Sequence, residues 1–267
     1  MTDSLPRSER DIPTLRLFVD RLFLLANEAM HTHICYDEAD HLAFMSLSFV
    51  SKQIDHLKTI RILVDMGQHK DAELIARSMI EGLFLLLWVT HDPSTRPLLW
   101  RSYAIVEDFR LMRKKEQAGE TIDSSHKQNI DEQLNIYGSQ FFTNKARTAQ
   151  KEGLPLPQDP YRKNWTGKTI REICEEVEGV NLYEKIYCET SEWIHWTPRG
   201  LGSAIRRKGE MVHYYQQSTE SEATALACAF QALLESLVLL DSHLNLGFSN
   251  NLKELRNTYI ETLTTDK

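Results

Sequence analysis

Residues 70–91 read KDAELIARSMIEGLFLLLWVTH, and the spacing within them decides the fold class. Apolar residues recur every three or four positions and then merge into the run Leu83 to Val89, the period of a helix that turns a face toward a core. The same spacing predicts helices near 13–32, 37–67, 96–118, 124–151, 169–178, 181–196, 219–246 and 251–264. Strand-like alternation with turn dipeptides is almost absent, so the expectation is an all-α, compact multi-helix bundle of about nine helices with no β-sheet.

The punctuation agrees with this reading. Asp92-Pro93 ends one helix, Thr169-Ile-Arg-Glu172 and Thr219-Glu-Ser-Glu222 have capping-box spacing, and Gly247 stands where a C-cap is expected. Residues 152–168, with Pro155, Pro157 and Pro160, form the one proline-rich loop and divide a five-helix first part from a shorter second part. The organisation read from this is an N-terminal flanking helix in 1–36, a helical domain over 37–247 that encloses the loop, and a C-terminal helix in 248–267. No internal repeat or low-complexity tract interrupts it.

Composition bounds the function. A chain of 267 residues with 42% hydrophobic and 26% charged residues has enough apolar content for a sizeable core. A net charge of -7 and a pI near 5.8 argue against a broad nucleic-acid-binding face while leaving room for a local basic patch. Cys35, Cys174, Cys188 and Cys228 show no C-x-x-C spacing, which fits reduced thiols better than a disulfide framework or structural zinc. Met1 to Asp11 lacks an apolar signal segment, and Leu83 to Val89 falls far short of the roughly 20 residues that span a bilayer. The expectation is a cytoplasmic protein.

Two polar constellations interrupt the apolar helices. Arg77-Ser-Met-Ile-Glu81 precedes the long apolar run, and Tyr187, Ser191 and His195 follow one another at four-residue steps on one face before a Pro/Gly break. A charge on a face destined for the core is costly unless paired, so Arg77, Glu81 and His195 read as a buried network or a site. As a network, Arg77 and Glu81 are an i,i+4 ion pair and His195 a helix-terminal imidazole. As a site, Arg77 offers a guanidinium fork to phosphate or carboxylate while Glu81 orients it, and His195 serves as general acid or base.

The ordered set Leu63-Val-Asp-Met-Gly-Gln-His-Lys-Asp-Ala72, Arg77-x-x-x-Glu81, Trp165-Thr-Gly-Lys-Thr-Ile-Arg-Glu172 and Tyr187 to His195 resembles the bacterial domain-of-unknown-function family 5677, over roughly residues 40–245. The resemblance implies a helical fold and no assigned reaction. A second pattern, Arg207-Lys-Gly-Glu-Met-Val-His213, has the spacing of HEPN-type helical RNases. That resemblance would assign His213 to acid/base work and Arg207 to the scissile phosphate. Gly209 weakens the helix such a pair would need, and a solvated basic loop is the alternative.

Glu-x-x-His occurs at Glu28/His31, Glu38/His41, Glu192/His195 and Glu210/His213, where chance predicts about one from ten histidines. Di-iron and di-manganese bundles use two such pairs with further glutamates, and Glu81 with Glu107 or Glu235 would complete the set. Surface helix pairs are the simpler explanation, so no cofactor is expected, with iron or manganese held by Glu81, Glu192 and His195 as the alternative. Gly167-Lys-Thr169 resembles the end of a phosphate-binding loop but has Arg162 where the first glycine should stand. The functional expectation is a helical effector or interaction module in stress or phage defence, with HEPN-type, metal-independent RNA cleavage as its enzymatic form. A metal-dependent carboxylate enzyme and a non-enzymatic scaffold compete with it. The expected partner is RNA or a protein, with no membrane and no extended DNA-binding surface, and a homodimer is compatible.

Overall fold

The computed structural model describes residues 11–195, 197–202, 205–214 and 218–264. The chain divides into two compact units, 1–91 with 170–267, and 92–169. The first unit opens with α1 (Ile12–His31), α2 (His41–Asp65) and α3 (His69–Thr90). The second holds α4 (Arg96–Ser102), α5 (Ala104–Gln117), α6 (Ser124–Tyr137) and α7 (Asn144–Lys151). The chain then returns to the first unit with α8 (Ile170–Glu176), α9 (Val180–Leu182), a π-helical stretch Tyr183–Cys188, α10 (Glu189–Ile194) and α11 (Pro198–Gly202). Strands β1 (Ile205–Lys208) and β2 (Met211–Tyr214) precede α12 (Thr219–Leu244) and α13 (Ser249–Thr264).

The first unit is built around α12, which packs against α3, α2 and α1. Ala225, Ala229 and Ala232 of α12 are fully buried, and such small residues let neighbouring helices approach closely. Leu15, Leu22, Leu57, Ile60, Ile80, Leu83, Phe84 and Leu233 fill the space between, each contributing about 1.5–3 kcal/mol on burial. Phe230 stacks on Tyr259 at 4.2 Å and meets Phe18 edge-on at 6.0 Å, which fastens α13 to α1 and α12. Among the described residues α12 is long and apolar enough to cross a bilayer, yet 72% of its apolar window is buried inside the fold. Such burial is the property of a core helix.

The second unit has its own core of Tyr103, Val106, Phe141, Phe142, Ala146 and Tyr161. Arg110 ties it together, donating to the Tyr103 hydroxyl at 2.8 Å, the Asp159 carboxylate at 2.9 Å and the Arg162 carbonyl at 2.9 Å.

The all-α class holds, and its elements are broken more finely than the apolar spacing predicts. The helix expected over 96–118 divides at Tyr103, and that over 124–151 divides at a 3-10 turn, Gly138–Phe141. A Cβ on Gly138 would stand 3.2 Å from the Tyr161 hydroxyl, so the backbone passes closely under that ring. The C-cap of α12 is Asn245 in the left-handed region, at φ 54°, rather than Gly247. The segment expected to be a basic loop instead pairs as an antiparallel hairpin, β1 with β2. It is a two-stranded ribbon, not a sheet layer, and Gly209 at φ 64° opens the two-residue turn that glycine favours at its first position.

Candidate functional site

Arg77 and Glu81 lie four residues apart on α3, both half-buried, while Ala76, Met79 and Ile80 between and beside them enter the core. α8 and α10 both pack against α3, so the two helices that carry the expected cluster are neighbours. The packing is close. A Cβ on Gly179 would meet the Phe84 ring at 2.5 Å, and Trp88 donates its indole N–H to Glu176 at 2.5 Å. Burial, with the Glu81 carboxylate adding to it, pushes the Cys174 thiol up to about 12, so Cys174 is an inert core group.

Ser191 is half-buried on α10, and its carbonyl accepts the His195 N–H at 3.1 Å. The His195 ring is exposed just beyond the helix end. α3 and α10 are thus brought together while His195 faces solvent. The side chains of Tyr187 and Glu192 lie outside the described residues, as does the alternative Glu81, Glu192 and His195 metal set in consequence.

Arg207 and His213 do not share a helix face. They stand on opposite strands of the hairpin, Arg207 paired with Val212 and His213 with Arg206. One position apart along a ribbon whose side chains alternate, they turn to opposite faces. Arg207 is exposed and donates to the Gly209 carbonyl at 3.2 Å.

The Glu-x-x-His pairs are distributed over different elements of the chain. His31 closes α1 with its ring on the Asn27 carbonyl at 2.7 Å, His41 opens α2, and Glu235 accepts from Arg256 at 2.7 Å. Glu107 belongs to α5 in the other unit. Among the described residues no three His, Cys, Asp or Glu groups gather as metal ligands.

A polar centre that the sequence reading missed sits where the ends of four helices meet. Arg16 of α1 donates to Glu222 of α12 from Nε at 2.9 Å and from a terminal nitrogen at 2.7 Å, and its other terminal nitrogen reaches Asp65 of α2 at 2.6 Å. His69, the first residue of α3, lies 3.4 Å from Glu222 through Nε2, and its Nδ1 stands 2.9 Å from the Ser218 carbonyl and 3.0 Å from the Ser218 nitrogen. Burial pulls Arg16 down, but the Glu222 and Asp65 carboxylates outweigh it and hold the guanidinium above its ordinary value. The sequence spacing predicts that Glu222 completes a capping box on Thr219. The cap is Ser218, whose hydroxyl accepts the Ser221 N–H at 3.2 Å, and this frees Glu222 for Arg16. The signal available is the occurrence of Asp65 and His69 four residues apart across a helix break inside the stretch Leu63 to Ala72.

The chain matches the family of unknown function DUF5677 over residues 43–212, more than half its length. It belongs to this family. No curated protein and no solved structure matches it. The DUF5677 match takes in Asp65, His69, Arg77, Glu81, Ser191 and His195 and ends inside the hairpin, while Arg16 and Glu222 lie outside it.

Proposed function

We propose that this DUF5677 chain is a helical interaction module that holds single-stranded RNA on the Ile205–Tyr214 hairpin, without cutting it there. The observation that supports this reading is a basic ribbon with exposed apolar positions on an acidic chain. Residues 197–214 carry Arg199, Arg206, Arg207 and Lys208 against the single acid Glu210, although the whole chain is at -7. Met211 and Val212, on the same hairpin, are 63% and 66% exposed. Cations that reach phosphate beside aromatic rings on which bases stack are the two parts of a single-strand RNA surface, and the hairpin sequence supplies His213 and Tyr214 for the second. Arg207 and His213 on opposite faces speak against the HEPN-type assignment, which needs both on one phosphate.

Fluorescence anisotropy with a single-stranded RNA, at about 50 and 200 mM salt, tests this reading. With about three phosphate contacts the affinity falls roughly tenfold to twentyfold between those salts. The triple change Arg206→Ala, Arg207→Ala, Lys208→Ala removes most of that dependence. RNA binding that the triple variant retains, or no binding by the parent chain, ends the proposal. The same RNA, followed by gel, reads cleavage. Cutting that His213→Ala abolishes restores the HEPN-type reading, and cutting that only His195→Ala abolishes moves the chemistry to the end of α10. In either form, an effector role in stress or phage defence is the wider context to which such an activity belongs.

A further inference from the structure

In the second unit the Arg162 guanidinium is drawn out of water without a carboxylate. One terminal nitrogen donates to the Gln140 carbonyl at 3.2 Å and the Trp165 carbonyl at 3.5 Å, and Cζ lies 5.8 Å from the centre of the Phe141 ring. Its Nε is buried with no hydrogen-bond partner. Arg147, on the exposed side of α7, donates to the same Gln140 carbonyl at 3.4 Å. Two like charges therefore converge on one neutral acceptor. Burial, and then the charge of Arg147, hold Arg162 below the ordinary arginine range. Arg110, which donates to the Arg162 carbonyl, has Asp159 as its counter-ion, so the unit does supply acids where it needs them.

The other terminal nitrogen of Arg162 rests against Gly167. A Cβ there would stand 2.1 Å from it and displace the guanidinium, and Gly167 has φ +69°, a backbone conformation that favours glycine. The turn is set by its own side chains, with Asn164 accepting the Gly167 N–H at 2.8 Å and Thr166 donating to the Lys168 carbonyl at 3.0 Å. The stretch Gly167-Lys-Thr169, which fails as a phosphate-binding loop on sequence spacing, is thus folded against the one arginine that stands in place of its first glycine.

We infer that Arg162 and Arg147 form a binding site for a phosphate monoester, either inorganic phosphate or the terminal phosphate of a nucleotide. A monoester near pH 7 carries about -1.5 to -2 and three acceptor oxygens, enough to balance both guanidiniums. A carboxylate or a phosphodiester brings a single charge. Arginine forks match tetrahedral oxyanions with two parallel bonds, and the Nε now lacking a partner is one member of such a fork. The site uses none of the hairpin's residues and does not depend on RNA binding there.

Calorimetric titration of the full chain with inorganic phosphate, adenosine monophosphate and acetate at equal ionic strength tests it. Phosphate and the nucleotide bind, and acetate does not. Arg147→Ala, a change at an exposed position, weakens phosphate about tenfold or more, as expected for a lost charge-assisted hydrogen bond. Arg162→Lys keeps the charge, loses the fork and weakens it comparably. Arg207→Ala on the hairpin leaves phosphate binding unchanged. Binding of the nucleotide alone assigns the site to nucleotides and supports the inference. No binding of either phosphate, or binding that is undiminished in both Arg147→Ala and Arg162→Lys, overturns it, whatever the RNA assay shows.

Discussion

Arg16 in the first unit and Arg162 in the second are both guanidiniums partly withdrawn from water, and the two units treat them oppositely. Arg16 receives two carboxylates, Glu222 and Asp65, the first of them 7% exposed. Arg162 receives backbone carbonyls and a second arginine. The first arrangement closes on itself, so removing Arg16 leaves the buried Glu222 carboxylate without its guanidinium. The second is open, because its charge has no internal answer. A closed network fixes how helix ends meet, whereas an open one is where a ligand can contribute.

The largest expected effect comes from breaking the closed network. Glu222→Ala leaves Arg16 with Asp65 alone and the buried His69 without its neighbouring acid, and we expect a loss of about 1–3 kcal/mol, below the full cost of a broken buried pair because Arg16 keeps Asp65 and is 41% exposed. Urea denaturation with an unchanged m-value measures it. A loss smaller than about 0.5 kcal/mol, the range of ordinary surface changes, means that the network does not hold the helix ends together.

A pair of matched substitutions sharpens the contrast. Methionine keeps much of the length of arginine and drops the charge. Arg16→Met is expected to cost about 1–2 kcal/mol, since it leaves Glu222 buried without its donor. Arg162→Met is expected to be neutral or stabilising within about 1 kcal/mol, because it relieves repulsion with Arg147, which still donates to the Gln140 carbonyl. Equal losses at the two positions would erase the distinction on which the phosphate inference is built.

What is legible in the sequence follows the same division. α3 and α12 are readable because their apolar period reports a core directly, and Arg77 with Glu81 stand out as charges within that period. The Arg16 network is not, because each member sits near a helix end where a charge is unremarkable, and Glu222 has a plausible local use as a cap. The hairpin escapes the pattern because Arg206-Arg207-Lys208 shows no alternation of polarity. Its one signal is Gly209 in a two-residue gap, which reads equally as a weak point in a helix and as a turn. The break at Gly138 depends on Tyr161, more than twenty positions away, and no local pattern carries such a contact.

The smallest loss belongs to a surface version of the closed arrangement, and it tests whether pairing matters less as water returns. Asp40 caps α2 by accepting the Ala43 N–H at 2.9 Å and meets His243 of α12 at 2.8 Å. Burial lifts its carboxyl, but the Ala43 N–H and His243 outweigh that and hold it below the ordinary carboxylate value. A carboxyl depressed in the folded state contributes stability that is fully present above its unfolded value, about 4, and is lost as pH falls through the lower folded value. Asp40→Asn keeps a cap acceptor and removes only the charge. The variant is therefore expected to be less stable than the parent by about 0.5–1 kcal/mol at pH 6, with the gap closing by about pH 3. Thermal unfolding of both chains across that range reads the gap. A difference that persists undiminished at pH 3 would show that asparagine fails as a cap at this position, and a difference absent at pH 6 would show that the contact with His243 adds nothing in water.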